Sequence, residues 1–194
     1  MMKNWPNEYK VLKGFKSIRK NDFELIPIRY EDRYEIMDWR NDQIYHLRQK
    51  EILTKDIQDD YFNDVIKLLF KDRKPKQILF SFLKENLLIG YGGLVHINWE
   101  NKNSEISFIL NTTLEEKKFE MLWDNFLSLL ENVAFSKLGL HKIYTYAFDL
   151  RPRLYVVLEK RDYKQEARLK MHEKFKNEFI DVLIHSKFNV NGNN

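Results

Sequence analysis

Apolar and polar positions alternate over DFELIPIR, Asp22 to Arg29, which predicts a strand with one face in a core. YEDRYEIMDWRND then reads as a short helix ending near Asn41. Thr54 suits an N-cap. Behind it Ile57, Tyr61, Phe62, Val65, Ile66 and Leu69 recur at helical spacing, and Lys74-Pro75 closes that helix. The pattern then turns to period two. ILFSFLK, a polar turn at Glu85-Asn86 and LLIGYGGLVHI predict a hairpin. Gly90, Gly92 and Gly93 in its second arm imply a bulge or a close backbone approach. A polar loop, NWENKNS, leads to the strand EISFIL. Phe119, Leu122, Trp123, Phe126, Leu127, Leu130, Val133 and Ala134 form the apolar stripe of a long helix, with Gly139 as its C′ cap. HKIYTYAF is a strand. Pro152 fits the first turn of a short helix, RPRLYVVLEKR, and YKQEARLKMH and EFIDVLIHSK are two strands joined near Lys176-Asn177.

The predicted order is β–α–α–β–β–β–α–β–α–β–β. It describes a mixed sheet with helices on its faces, an α/β or α+β fold in one domain. That domain runs over residues 22–188, after an irregular basic extension at 1–21 and before a polar tail, NVNGNN, at 189–194. A length of 194 residues with 43% apolar content suits such a unit and its core.

Charge and composition remove several function classes. The net charge of +4 is mild, and basic residues are interleaved with acids, so a nucleic-acid partner is not expected. No apolar run approaches the roughly 20 residues that span a bilayer, so no membrane partner is expected. The start, MMKNWPNEYKVLKGFK, has no apolar h-region, so a secretory signal is not expected. With no cysteine there is no disulfide or thiolate chemistry, which fits a cytoplasmic protein. The five histidines show no metal spacing such as H-E-x-x-H, so no metal is expected. G-x-S-x-G, Walker A and G-x-G-x-x-G elements do not occur.

Several stretches carry a family resemblance. MDWRND closes the first helix, EISFIL precedes a turn and the long helix, and DLRPRLYVVLEKRDYKQEARLKMH runs into EFIDVLIHS. In order and spacing these resemble the GNAT superfamily of N-acetyltransferases over roughly residues 22 to 187. WRND is similar to the ribosomal-protein-alanine and amino-sugar branches. The resemblance implies acetyl-CoA as co-substrate, with pantetheine beside the central strand at Phe108, Ile109 and Leu110. The pyrophosphate would rest on the following turn, Leu114, Glu115, Glu116, Lys117, Lys118 and Phe119. The family turn is normally R/Q-x-x-G-x-G/A, and here Lys117 and Phe119 stand at its glycine positions. Two non-glycine residues in left-handed geometry would cost roughly 2–4 kcal/mol, against about −8 kcal/mol for a micromolar ligand. The alternative is that LEEKK is an ordinary helix first turn with acids suited to the dipole, begun without left-handed residues and with a smaller loss.

Transfer of an acetyl group to an amine needs a base for the ammonium and an acid for the thiolate. The family's acid, a tyrosine in the last helix, maps to Leu158, so Tyr155, one turn earlier, is the candidate; packing is its plain alternative. Glu105, opening the central strand, is the candidate base, and a solvated strand-end acid is the alternative. His96 would bind substrate or relay a proton. Trp39 and Arg40 would frame the acceptor, Arg40 through bidentate bonds to phosphate or carboxylate. The expected acceptor is a small-molecule primary amine, first an amino sugar on a nucleotide, second the alanine N-terminus of a ribosomal protein. A scaffold that has lost CoA binding is the reading from another class. A homodimer is compatible with these features.

Overall fold

The computed structural model describes residues 5–190, so the start of the basic extension and the last four residues of the polar tail lie outside the described residues. Eight strands form one sheet: β1 (Ile18–Lys20), β2 (Phe23–Pro27), β3 (Ile78–Lys84), β4 (Leu87–Asn98), β5 (Asn103–Leu110), β6 (Lys142–Phe148), β7 (Lys164–Phe175) and β8 (Glu178–Phe188). Their order across the sheet is β1-β2-β3-β4-β5-β6-β8-β7. Every neighbouring pair is antiparallel except β5 and β6. The helices are α1 (Arg33–Asp42), α2 (Lys55–Asp60), α3 (Lys67–Leu69), α4 (Thr112–Glu131) and α5 (Pro152–Lys160). This is the expected mixed, mostly antiparallel α/β sheet.

The parallel pair decides the architecture. β5 and β6 are in register only over Asn103–Glu105 with Lys142–Tyr144, and beyond Glu105 they part. Each strand then leaves backbone and side chains facing a gap instead of a neighbour. The stripe predicted for the long helix lies buried over the sheet, and Phe126 stacks on Phe108 of β5 at 3.6 Å between ring centres. Gly139 ends that helical run in left-handed geometry, φ +62°, as its C′ position predicts.

Both close approach and a bulge account for the β4 glycines, because the pairing with β3 shifts register beside Gly90, where Phe82 faces Gly90 and Leu83 faces Leu88. A Cβ on Gly92 would sit 2.2 Å from the Ser107 carbonyl oxygen, and one on Gly93 2.1 Å from that of Ile78. A second irregularity of β4, in its pairing with β5 between Val95 and Asn98, holds His96 at φ +50°.

Two sequence readings change. The extension ahead of β2 is not an irregular appendage, because Tyr9 is fully buried, stacks on Phe70 at 4.0 Å and exchanges hydrogen bonds with Leu79. Aromatic residues set among lysines hid that packing from a pattern search. The stripe behind Thr54, whose hydroxyl caps α2 as predicted, is only half inward. A π-helical turn at Tyr61–Ile66 follows α2; Gln58, Phe62, Ile66 and Phe70 are buried, while Ile57, Tyr61 and Val65 are not. Two adjacent i, i+4 rows were both apolar, and only one fits against the sheet.

Candidate active site

The gap between β5 and β6 opens into a cleft of about 410 Å³. Ile106, Ser107, Phe108 and Ile109 line it from β5, and Thr145, Tyr146, Ala147 and Phe148 from β6. Trp123 of α4 and Leu154 of α5 close its apolar side. Four cations, Arg40, Arg48, Lys76 and Arg151, and one carboxylate, Glu105, are among its lining residues.

Glu105 lies where the two strands begin to separate, and its side chain is 6% exposed. A carboxylate in that position needs partners. It accepts a hydrogen bond from Arg48, and its other oxygen lies 2.9 Å from His96 Nδ1. The β4 irregularity turns His96 toward it, leaving the ring largely exposed. With Nδ1–H donating to the carboxylate, Nε2 keeps its lone pair free to accept a proton. Two predicted site residues are thus brought together. Arg48 also lies over the Tyr146 ring, 4.8 Å from its centre. The Tyr146 hydroxyl donates to Glu173, and burial together with that carboxylate pushes its pKa up to about 12.

Arg40 comes from the last turn of α1 into the cleft wall. Its Nε donates to Gln49 at 2.9 Å and its Nη1 to the Tyr91 hydroxyl at 2.7 Å. Both partners are neutral, and among the described residues Arg40 has no ion pair with a carboxylate. Its neighbour Trp39 is 6% exposed and packs in the core, away from the cleft lining. Adjacent residues of a helix point about 100° apart, so the W-R pair could not both frame one ligand.

The strand-to-helix turn is not an open loop. Asn111 caps α4 by accepting from the Leu114 N–H, so Leu114 to Phe119 already belong to the helix. None of them has positive φ, and the strain expected for replacing glycines is not incurred. Lys118 departs from helical geometry, φ −133°, and marks a kink. Glu116, Lys117 and Lys118 face solvent, while Glu115 is buried and pairs with Arg151 at 2.9 Å and with Arg153 at 3.3 Å. Arg151 also donates toward His46 Nδ1 at 3.1 Å. Burial and the Arg151 charge lower the His46 pKa to about 3. Of the expected cofactor residues, Phe108 and Ile109 line the cleft, whereas Leu110, Leu114 and Glu115 to Phe119 do not.

Tyr155 is not brought to Glu105. It stacks on the buried His185 at 5.1 Å, its hydroxyl donates to Asp149 at 3.1 Å, and burial with that carboxylate raises its pKa. Leu154, the preceding residue, holds the cleft-facing position instead, and Leu158 is in the core. Asp162 takes left-handed geometry, φ +64°, just after α5, as its place before the last strands suggests.

A family model described as an acetyltransferase (GNAT) domain matches residues 25–184. The chain belongs to the GNAT acetyltransferase family. It is therefore an acetyl-CoA-dependent N-acetyltransferase. Among solved structures, this GNAT chain is similar to the spermidine N-acetyltransferase from Vibrio cholerae in complex with CoA and spermine. Identity is 19%, with 90% of this chain and 100% of that one covered and a TM-score of 0.75. It is also similar to mutant forms of the spermidine/spermine N-acetyltransferase from the same organism, at 16% identity, 89% and 97% coverage and a TM-score of 0.74. At such identities the likeness concerns the fold.

The cleft of this acetyltransferase fits an extended thioester arm. Within its mixed polar and apolar walls, Trp123 Nε1 and Thr145 Oγ1 are buried without hydrogen-bond partners. Unsatisfied donors in a dry wall are costly unless a ligand completes them. Arg151 adds a third unpartnered buried donor, Nε, and a positive charge where α5 begins. Arg48, Lys76, Tyr91, Thr145 and Arg151 carry no site reading in the sequence, and Trp123 reads there only as part of the apolar stripe of α4. Their only sequence signals were Tyr91 set between glycines and Arg151 just before Pro152.

Proposed function

We propose that the chain acetylates a primary amine that carries a negative charge nearby, with a nucleotide-linked amino sugar as the first candidate. Arg40 carries the reading. It is a largely enclosed guanidinium whose hydrogen bonds go to neutral Gln49 and Tyr91, and a charge so placed favours an anionic ligand. The rest of the cleft points the same way, since Arg48 and Lys76 add positive charge and Glu105 is the one carboxylate. A polycation such as the spermine in the Vibrio cholerae structure would meet repulsion here.

Acetyl-CoA supplies the acetyl group as a thioester, so the carbonyl carbon is already activated for attack. Arg40 binds the acceptor's anionic group and thereby orients its amine. His96 Nε2 takes the proton from the incoming ammonium, because Glu105 on Nδ1 fixes the tautomer and stabilises the imidazolium that forms. Arg48 keeps its ion pair with Glu105 beside the imidazole. The free amine then attacks the thioester carbonyl carbon directly, in a complex holding both substrates. The C–N bond forms, the C–S bond breaks, and the departing CoA thiolate is balanced by the proton that the acylated nitrogen sheds through water.

Steady-state kinetics with a nucleotide-linked amino sugar test the assignment. Arg40→Ala raises KM for the acceptor about ten- to a hundredfold, the scale of a lost charge-assisted bond. Arg40→Lys recovers part of the loss. An unchanged acceptor KM in Arg40→Ala removes the anion-binding role.

A further inference from the structure

A second cavity, of about 310 Å³, lies beside the reaction cleft against α1, α2 and the π-helical turn. Arg40, Gln77, Val95 and Ser107 line both, so the two spaces meet at those residues. Their walls differ in character. The cleft is charged, whereas the second cavity has Arg40 as its lone charged group and is walled mainly by apolar and aromatic side chains, among them Ile36, Leu53, Ile57, Tyr61, Phe62 and Tyr91. Ile57 and Tyr61 are 48% and 37% exposed, more than core packing alone would leave for such residues, and both face this space. The π-helical turn that carries Tyr61 is a local departure of the kind often found at functional sites.

An apolar cavity of about 150 Å³ suffices for benzene. The space here is therefore ample for one planar ring with its substituents, and Tyr61, Phe62 and Tyr91 offer it aromatic contacts. We propose that this cavity receives a planar ring of the acceptor. The inference rests on the reading that Arg40 holds the acceptor's anion. With the anion at Arg40, where the spaces join, the ring turns into the second cavity and the amine turns toward His96 and Glu105. The chemistry required is a ring a few bonds from an acid. A nucleotide's base and an aromatic amino acid's side chain both present it.

Calorimetric binding with two matched pairs of probes tests this and separates the sources. The pairs are uridine monophosphate against ribose 5-phosphate, and phenylalanine against alanine. In the wild-type protein the ring-bearing member of at least one pair binds about tenfold tighter or more, the scale of burying an aromatic side group; the pair that shows the advantage identifies the source. Ile57→Trp, placed on an exposed helix position so that folding is preserved, fills the cavity and abolishes the advantage while leaving the ringless probe unchanged. Equal affinity within both pairs, including no binding at all, overturns the proposal, as does an advantage that survives Ile57→Trp. Arg40→Ala distinguishes the two readings. If it leaves ring-bearing and ringless probes at their wild-type affinities, the ring advantage stands and the anion reading alone is lost.

Discussion

His96 reaches Glu105 only because β4 breaks its register after Val95 and puts His96 at φ +50°. Residue types made Glu105, His96 and Arg40 readable as candidates, since polar groups at strand and helix ends invite a role. Their grouping was not readable, because it depends on that irregularity and on Arg48 arriving from a distant loop. Trp39 and Tyr155 show the converse, for each is one helix position away from the side chain that lines the cleft. Two predictions belong at this scale. Glu105→Gln lowers kcat by about 10²-fold or more in steady-state assays, the loss expected for a disabled proton-transfer pair, while the acceptor KM changes little. His46 carries a pH dependence. Its folded pKa of about 3 lies below the ordinary histidine value, so between those values the unfolded chain binds a proton that the folded chain does not. Stability therefore falls as pH drops from about 6.5 toward 3. Allowing for its partial exposure, His46 costs about 1 kcal/mol between pH 7 and 5. Thermal melts over that range should show His46→Asn losing about 3 °C less than wild type.

At the scale of elements, the first turn of α4 changes the argument most. The motif comparison cast Leu114 to Phe119 as a loop short of glycines, and the apolar stripe beginning at Phe119 was legible. Periodicity could not choose between that loop and an ordinary helix first turn; the second holds, since Asn111 starts the helix directly after β5 and no left-handed residue is needed. Nor could periodicity show that Glu115 points inward. Its carboxylate answers Arg151 and Arg153, which come from the start of α5, and that pairing ties the two helices together across the end of the cleft. Glu115→Gln leaves Arg151 with its charge uncompensated, and chemical denaturation should register a loss of about 3 kcal/mol or more. The β4 glycines are a second case, where the sequence named a bulge or a close approach and the structure holds both. Gly92→Ala forces a methyl against the Ser107 carbonyl. A melting temperature lower by roughly 5 °C is expected, from about 2 kcal/mol of overpacking.

At the scale of the whole molecule, the order of elements was legible and the function follows from one interruption in the sheet. β5 and β6 pair for three residues and then separate. No local pattern announces such a parting, since both strands read as ordinary alternation. The gap opens the cleft between the strands, and Arg40 of α1 and Arg48 of the following loop give its lining positive charge. That charge underlies the acceptor preference proposed above. The most direct measurement is the rate of thiol release from acetyl-CoA with amines of graded charge, at equal concentrations and moderate salt. A nucleotide-linked amino sugar should turn over with a kcat/KM at least tenfold above that of spermidine, and Arg40→Ala should erase most of the difference. Faster turnover of spermidine, with Arg40→Ala indifferent to the acceptor's charge, would contradict it.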